Sequence, residues 1–143
     1  MSMQSYFFED MQEGMEASFS KTVTEADIVL FAGVTGDLNP VHVDAEFAAA
    51  SMFKQRIAHG MLSASFISTV FGTRLPGPGC IYVSQSVRFR APVFIGDTVT
   101  ARVKVTGLKP ERNMVMFDTV CTVGGKEVVS GDAVIMVPRR EQG

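Results

Sequence analysis

At 143 residues, with 46% hydrophobic and 20% charged residues and a formal net charge of −2, the chain has the composition of an ordinary globular protein. It has too many apolar residues for a disordered segment, and no broad basic field through which to displace counterions from nucleic acid. Its two cysteines, Cys80 and Cys121, are too few for a disulfide scaffold and lack the paired spacing of a zinc site, so both are expected to be reduced and buried.

Residues 1–16 show no clear periodicity, although Tyr6, Phe7 and Phe8 are suited to tie the segment onto the body. The segment carries acids where a secretory signal would have a basic region and a long apolar run. No apolar stretch approaches the ~18 residues of a membrane span, so the expected setting is cytoplasmic, with no membrane partner. From Ala17 to Val23 apolar and polar residues alternate, with Ala17, Phe19 and Val23 opposing Ser18, Ser20 and Thr22, as in a half-buried strand. Thr24 with Asp27 three residues later forms a helix-capping pair, and Ile28, Leu30 and Phe31 give the following helix an apolar side. Gly33 and Gly36 end it. Asn39 precedes Pro40 and is thereby disfavoured in α geometry, so Val34 to Asp44 (VTGDLNPVHVD) reads as a loop.

Asp44 is placed to cap a second short helix, Ala45 to Met52, after which a basic link runs from Phe53 to Arg56. From Gly60 to Thr73 the residues are apolar or small on every side and carry no charge, the pattern of a helix enclosed by the rest of the protein. The LPGPG segment (Leu75 to Gly79) is a firm break. Alternating stretches then recur at Cys80 to Arg90, Thr98 to Thr106, Met114 to Val123 and Glu127 to Val137, with a GGK connector short enough for a hairpin. Successive strands favour an antiparallel sheet, and helices segregated from strands favour an α+β fold in which the sheet curls around one long buried helix. The length suits one domain, residues 1–143, able to bury about 68–70% of its unfolded surface.

The loop concentrates chemistry. Asp37 and His42, with ordinary pKa values of ~3.9 and ~6.5, pair a carboxylate with a group that gains or loses a proton near neutrality, and such a pair can hold a water and move protons. Asn39 lies between them and can orient that water or the substrate. The plainer alternative makes Asp37 a turn-capping residue and His42 a polar neighbour of the next helix. His59 and Gly60 form a second candidate, because a glycine amide heading a buried helix points outward with the helix dipole behind it and suits a developing oxyanion. Alternatively, His59 caps the helix and Gly60 is only its first turn. Ser63, Ser65, Ser68 and Thr69 on that helix can bond a ligand or a carbonyl one turn back. The chain has no GxSxG elbow, P-loop, GxGxxG or HExxH.

Phe31 to Ala48 (FAGVTGDLNPVHVDAEFA), Arg56 to Ser68 (RIAHGMLSASFIS) and Ile81 to Asp97 (IYVSQSVRFRAPVFIGD) resemble the (R)-specific enoyl-CoA hydratases of the MaoC-like dehydratase family. The first stretch matches that family's Gly-Asp-x-Asn-Pro-aliphatic-His motif. The resemblance implies a hot-dog fold, with Asp37 and His42 as catalytic dyad, Asn39 supporting it, the Gly60 amide polarising the thioester carbonyl, and the Ser68 hydroxyl helping to position the dyad; His59, from the residues themselves, is a candidate for positioning the substrate. It implies reversible hydration of a trans-2-enoyl-CoA of short to medium chain to the (R)-3-hydroxyacyl-CoA, with no metal and no cofactor beyond the coenzyme A of the substrate. It also implies a homodimer joined edge to edge, with Lys54, Arg56, Arg88 and Arg90 as candidates for the CoA phosphates. Met52, Phe53, Met61, Leu62, Phe66 and Leu75 are open between acyl pocket and core. A hot-dog thioesterase would need a carboxylate on the central helix, and Met61 to Thr73 has none; a non-catalytic acyl-CoA or acyl-carrier-protein binding module is the other alternative.

Overall fold

The computed structural model describes residues 5–141. In chain order the elements are a 3-10 turn at Phe8–Asp10, β1 (Glu16–Thr22), α1 (Glu25–Thr35), α2 (Pro40–Val43), α3 (Ala45–Ala49), α4 (Gly60–Thr73), β2 (Ile81–Gln85), β3 (Arg88–Phe89), β4 (Thr98–Lys109), a second 3-10 turn at Pro110–Arg112, β5 (Met114–Val123) and β6 (Lys126–Met136). The strands form one antiparallel sheet in the order β1-β4-β5-β6-β2, with β3 also on β6. This is the hot-dog arrangement: the sheet curls over α4, which packs on β1, β4, β5 and β6.

Period-two patterning accounts for the sheet's two faces. Along β4, Val99, Ala101, Val103 and Val105 are buried while Arg102, Lys104 and Thr106 are exposed. The buried row meets Ile67, Val70 and Phe71 of α4, and Phe71 packs edge-on against Phe117 at 4.8 Å between ring centroids. Phe19 of β1 meets Phe66 of α4 in the same manner at 6.1 Å. The N-terminal segment is tied down through Tyr6 N–H to Pro76 O and Phe8 N–H to Pro138 O, both 2.8 Å. Cys121 is buried under α4, which pushes its thiol up to about 12, and Cys80 is half-buried rather than fully so; both are free thiols. No helix among the described residues is long and apolar enough to cross a membrane.

Several elements depart from the sequence reading. Within this chain α4 is not enclosed on every side: Met61, Ser65, Ser68 and Gly72 form an exposed stripe at helical spacing. The stretch from Cys80 to Arg90 is two strands, broken at Ser86 and Val87, because the chain presses there onto Gly131 of β6. A Cβ on Gly131 would lie 1.9 Å from Ser86 O. β4 runs on past Thr106 to Lys109. Leu30 faces outward, since on α1 the buried side is set by Ile28 and Ala32, four residues apart, and Leu30 falls on the opposite side. The helix after Asp44 stops at Ala49, where Ser51 Oγ turns back to Ala48 O. Finally, part of the Val34 to Asp44 loop is helical: Pro40 occupies the first position of α2, where its fixed φ is favourable and its missing N–H costs nothing.

Candidate active site

The capping chemistry of the loop delivers the dyad. α1 starts with the Thr24–Asp27 box and ends at Gly36, whose φ of 78° is the left-handed conformation that glycine adopts cheaply. The chain then turns through Asp37, whose N–H is held by Thr35 Oγ1 at 3.1 Å and whose Oδ1 accepts from Asn39 N–H at 3.2 Å. The turn-capping role is therefore real, yet it engages only one carboxylate oxygen. Asn39 Oδ1 in turn caps α2 through Val41 N–H at 3.2 Å. Asn39 Oδ1 is engaged in this cap, and Asn39 is not among the residues that line the cleft holding the dyad.

His42 sits on α2 and is 8% exposed. Its Nδ1 lies 2.8 Å from Ile57 O; a carbonyl only accepts, so Nδ1 carries the proton and, in the neutral ring, Nε2 presents a lone pair. Burial is the largest influence on this ring and lowers its pKa below the ordinary 6.5, against the opposing effects of the Ile57 bond and the Asp37 charge. The group is thus a neutral base at pH 7. Arg56 binds His42 O through Nε at 2.6 Å and pairs with Glu25 at 2.6 Å, which commits it to clamping α1 to α2 rather than to meeting a phosphate.

His59 arrives from the other direction. Ile57 and Ala58 run beside Val93 and Phe94, with Ala58 N–H on Val93 O at 2.7 Å, and this sets His59 as the residue before α4. The ring is 2% exposed and stacks on His42 at 3.9 Å between centroids. Ligand atoms of Asp37, His42 and His59 all lie within 4.8 Å of one another. A single metal ion would require both rings to aim lone pairs at one point, which two stacked rings do not do. The cluster suits proton transfer better.

Gly60 opens α4, and its N–H meets no acceptor among the described residues. A Cβ at this position would lie 2.6 Å from the Phe89 ring, so a side chain here would push Phe89 off the helix start. Asp37, His42, His59, Gly60, Ser63 and Phe89 line one cleft of about 450 Å³, closed by Val93, Val128 and Val129, with Arg90 at its polar rim. That size and its apolar lining suit a small acyl ligand. Of the residues left open between pocket and core, Phe53 and Met61 line the cleft, Met52 is exposed, and Leu62, Phe66 and Leu75 are core. Ser68 stands apart from the dyad, in a neighbouring cavity of about 400 Å³ with Ser65, Tyr82 and Gln85 that shares only Met61 with the first. Of the four helix hydroxyls open between a ligand and a carbonyl one turn back, Ser63 is the one that lines the cleft of the dyad, and Phe89 is a lining residue that the sequence did not mark individually.

A hot-dog sheet with an acid and a neutral imidazole at the head of its helix defines an acyl-thioester dehydratase type of protein. The chain belongs to the MaoC-like family, whose profile, described as "MaoC like domain", matches residues 7–129. It is 62% identical over 135 residues to an (R)-specific enoyl-CoA hydratase of Rhodospirillum rubrum, covering 94% of each chain. It is 46% identical over 136 residues to a 3-hydroxybutyryl-CoA dehydratase of Methylorubrum extorquens, covering 95% of this chain and 87% of the relative. The solved R-hydratase of Pseudomonas aeruginosa superposes with a TM-score of 0.91 at 41% identity, covering 99% of this chain and 94% of that one.

Proposed function

We propose that this chain is an (R)-specific enoyl-CoA hydratase that adds water reversibly to short to medium trans-2-enoyl-CoA thioesters, with Asp37 and His42 as its dyad and Gly60 N–H as its oxyanion donor. The observation that carries the mechanism is the Nδ1–H bond from His42 to Ile57 O, which leaves Nε2 bare in the same cleft as the free end of α4. His42 Nε2 takes one proton from a water whose other hydrogen rests on Asp37. The water oxygen bonds to C3, electrons shift through C2 to the thioester oxygen, and Gly60 N–H and the α4 dipole hold the charge that forms there. The enolate collapses by taking a proton at C2 from the Asp37–His42 pair. One O–H bond of water breaks, one C–O and one C–H bond form, and the dyad returns to its starting state, so the reading needs no metal or redox cofactor.

The relative named for a four-carbon substrate supports short chains. Among the described residues Asp37 is the sole carboxylate lining the cleft, and α4 carries none, which weighs against thioester hydrolysis. The functional unit in this reading is a homodimer: Ile81, Tyr82 and Val83 on the edge strand β2 are 57%, 39% and 45% exposed, beside the uncovered stripe of α4. A cytoplasmic setting fits its two free thiols. The test is incubation with crotonyl-CoA and its longer homologues, following enoyl absorbance and free thiol together. Hydration predicts absorbance loss without thiol release; thiol release without hydration, or binding without either, refutes it.

A further inference from the structure

Once the reaction is assigned to Asp37 and His42, one buried group in the cleft has no part in it. His59 is 2% exposed, touches no reacting atom in the mechanism above, and burying an imidazole is costly unless its polar atoms are engaged. Three contacts define its place. Its Nε2 lies 3.0 Å from the carbonyl oxygen of Asp37, its ring stacks on His42 at 3.9 Å and 29°, and Phe31 of α1 closes the far side at 4.8 Å. Among the described residues it is the only side chain hydrogen-bonded to, or stacked against, both members of the dyad.

We propose that His59 is a positioning residue for the hydration: it locks the Asp37 loop and the His42 ring onto the head of α4, and does so as the neutral tautomer opposite to that of His42. The inference rests on the hydratase reading of the same site. A carbonyl can only accept, so Nε2 of His59 carries its proton while Nδ1 is bare; in His42 the assignment is reversed, because there Nδ1 faces Ile57 O. His59 Nδ1 is buried and without a protein partner. Ser63 of α4 carries a buried hydroxyl that likewise has none. Ser65 and Thr73 on the same helix instead bond back to Met61 O and Thr69 O.

The arrangement has a chemical purpose. During turnover His42 becomes an imidazolium, and a neutral ring against its face accommodates that charge better than a second cation would. The charged and titratable groups facing His42 are Asp37 from the loop, His59 from the head of α4, Arg56 from the preceding link with its partner Glu25 on α1, and Arg90 from the cleft rim.

The chain has only two histidines, so a two-bond 1H–15N spectrum of the free protein contains only these two rings. The expected spectrum shows His42 protonated at Nδ1 and His59 at Nε2; both rings in one tautomer overturns the proposal. In kinetics with crotonyl-CoA, His59→Phe keeps a ring against His42 but loses the bond to Asp37. It is expected to lower kcat about tenfold to a hundredfold with KM within about twofold. A purely structural role would lower Tm while leaving kcat per folded molecule unchanged, and that result overturns the proposal. His59→Gln, which retains a donor, serves the same kinetic test if His59→Phe fails to fold, and the tautomer spectrum needs no variant. Absence of hydration by the wild-type protein would instead refute the hydratase reading, independently of the tautomers.

Discussion

Replacing Asp37 by Asn separates the charge of the dyad from the architecture of its loop. The bonds that hold residue 37 are Thr35 Oγ1 to its N–H, Asn39 N–H to its Oδ1 and His59 to its carbonyl. An asparagine keeps the two backbone contacts, and its amide oxygen can accept from Asn39 as the carboxylate did. The side chain is exposed, so the lost charge is well solvated; the stability change should stay within about 0.5 kcal/mol, or about 1–3 °C in Tm for a chain of this size. The chemistry changes far more. General acid–base participation contributes about 10² to 10⁴-fold, equivalent to about 2.7–5.4 kcal/mol of barrier. In a crotonyl-CoA hydration assay Asp37→Asn should thus lose at least about a hundredfold in kcat/KM while its melting curve barely moves. A variant that retains more than a tenth of the wild-type rate refutes the role given to Asp37, and a large fall in Tm would show the loop geometry to be misread.

Three further outcomes follow from the same structure. Because burial lowers the His42 pKa below 6.5, the unfolded chain binds that proton more readily than the folded one; His42 therefore contributes stability above about pH 6.5 that is lost on acidification toward its folded pKa. Both kcat/KM and the His42-dependent part of Tm should decline in that window, and His42→Gln should flatten the Tm component. Gly131→Ala drives a methyl group to 1.9 Å from Ser86 O, a backbone atom with little room to yield, and should destabilise by about 1–3 kcal/mol, seen as a lower Tm and a lower denaturant midpoint. Val83→Arg places a charge on the exposed edge strand β2 and should convert a dimer to monomer in sedimentation equilibrium, whereas a chain that is monomeric beforehand removes the edge-joined dimer.

Period-two alternation located all the longer strands because one face of each is buried against α4, and the Thr24–Asp27 box and Gly36 marked the ends of α1 because both act locally. What was not legible depends on contacts distant in sequence. The break at Ser86 is imposed by Gly131, and the outward turn of Leu30 by which side of α1 meets the core. The dyad was legible as a set of residue types in one loop. Its assembly was not: the Ile57 carbonyl that fixes the tautomer of His42 lies 15 residues on, and His59 meets the Asp37 carbonyl across 22. Asn39 is legible as a polar residue of the same segment, whereas the cap its Oδ1 makes on Val41 N–H depends on the backbone turn into α2. The exposed stripe of α4 escaped notice because Ser, Gly and Met tolerate either a core or an uncovered surface.

The central claim is that the cleft carries out hand-specific hydration, and the reverse reaction tests it most directly. Offered (R)- and (S)-3-hydroxybutyryl-CoA separately, the wild-type protein should generate enoyl absorbance from the (R) isomer alone, and His42→Ala should generate it from neither at a comparable rate. Equal dehydration of both isomers, preference for the (S) isomer, or dehydration of neither by the folded wild-type protein would contradict the account.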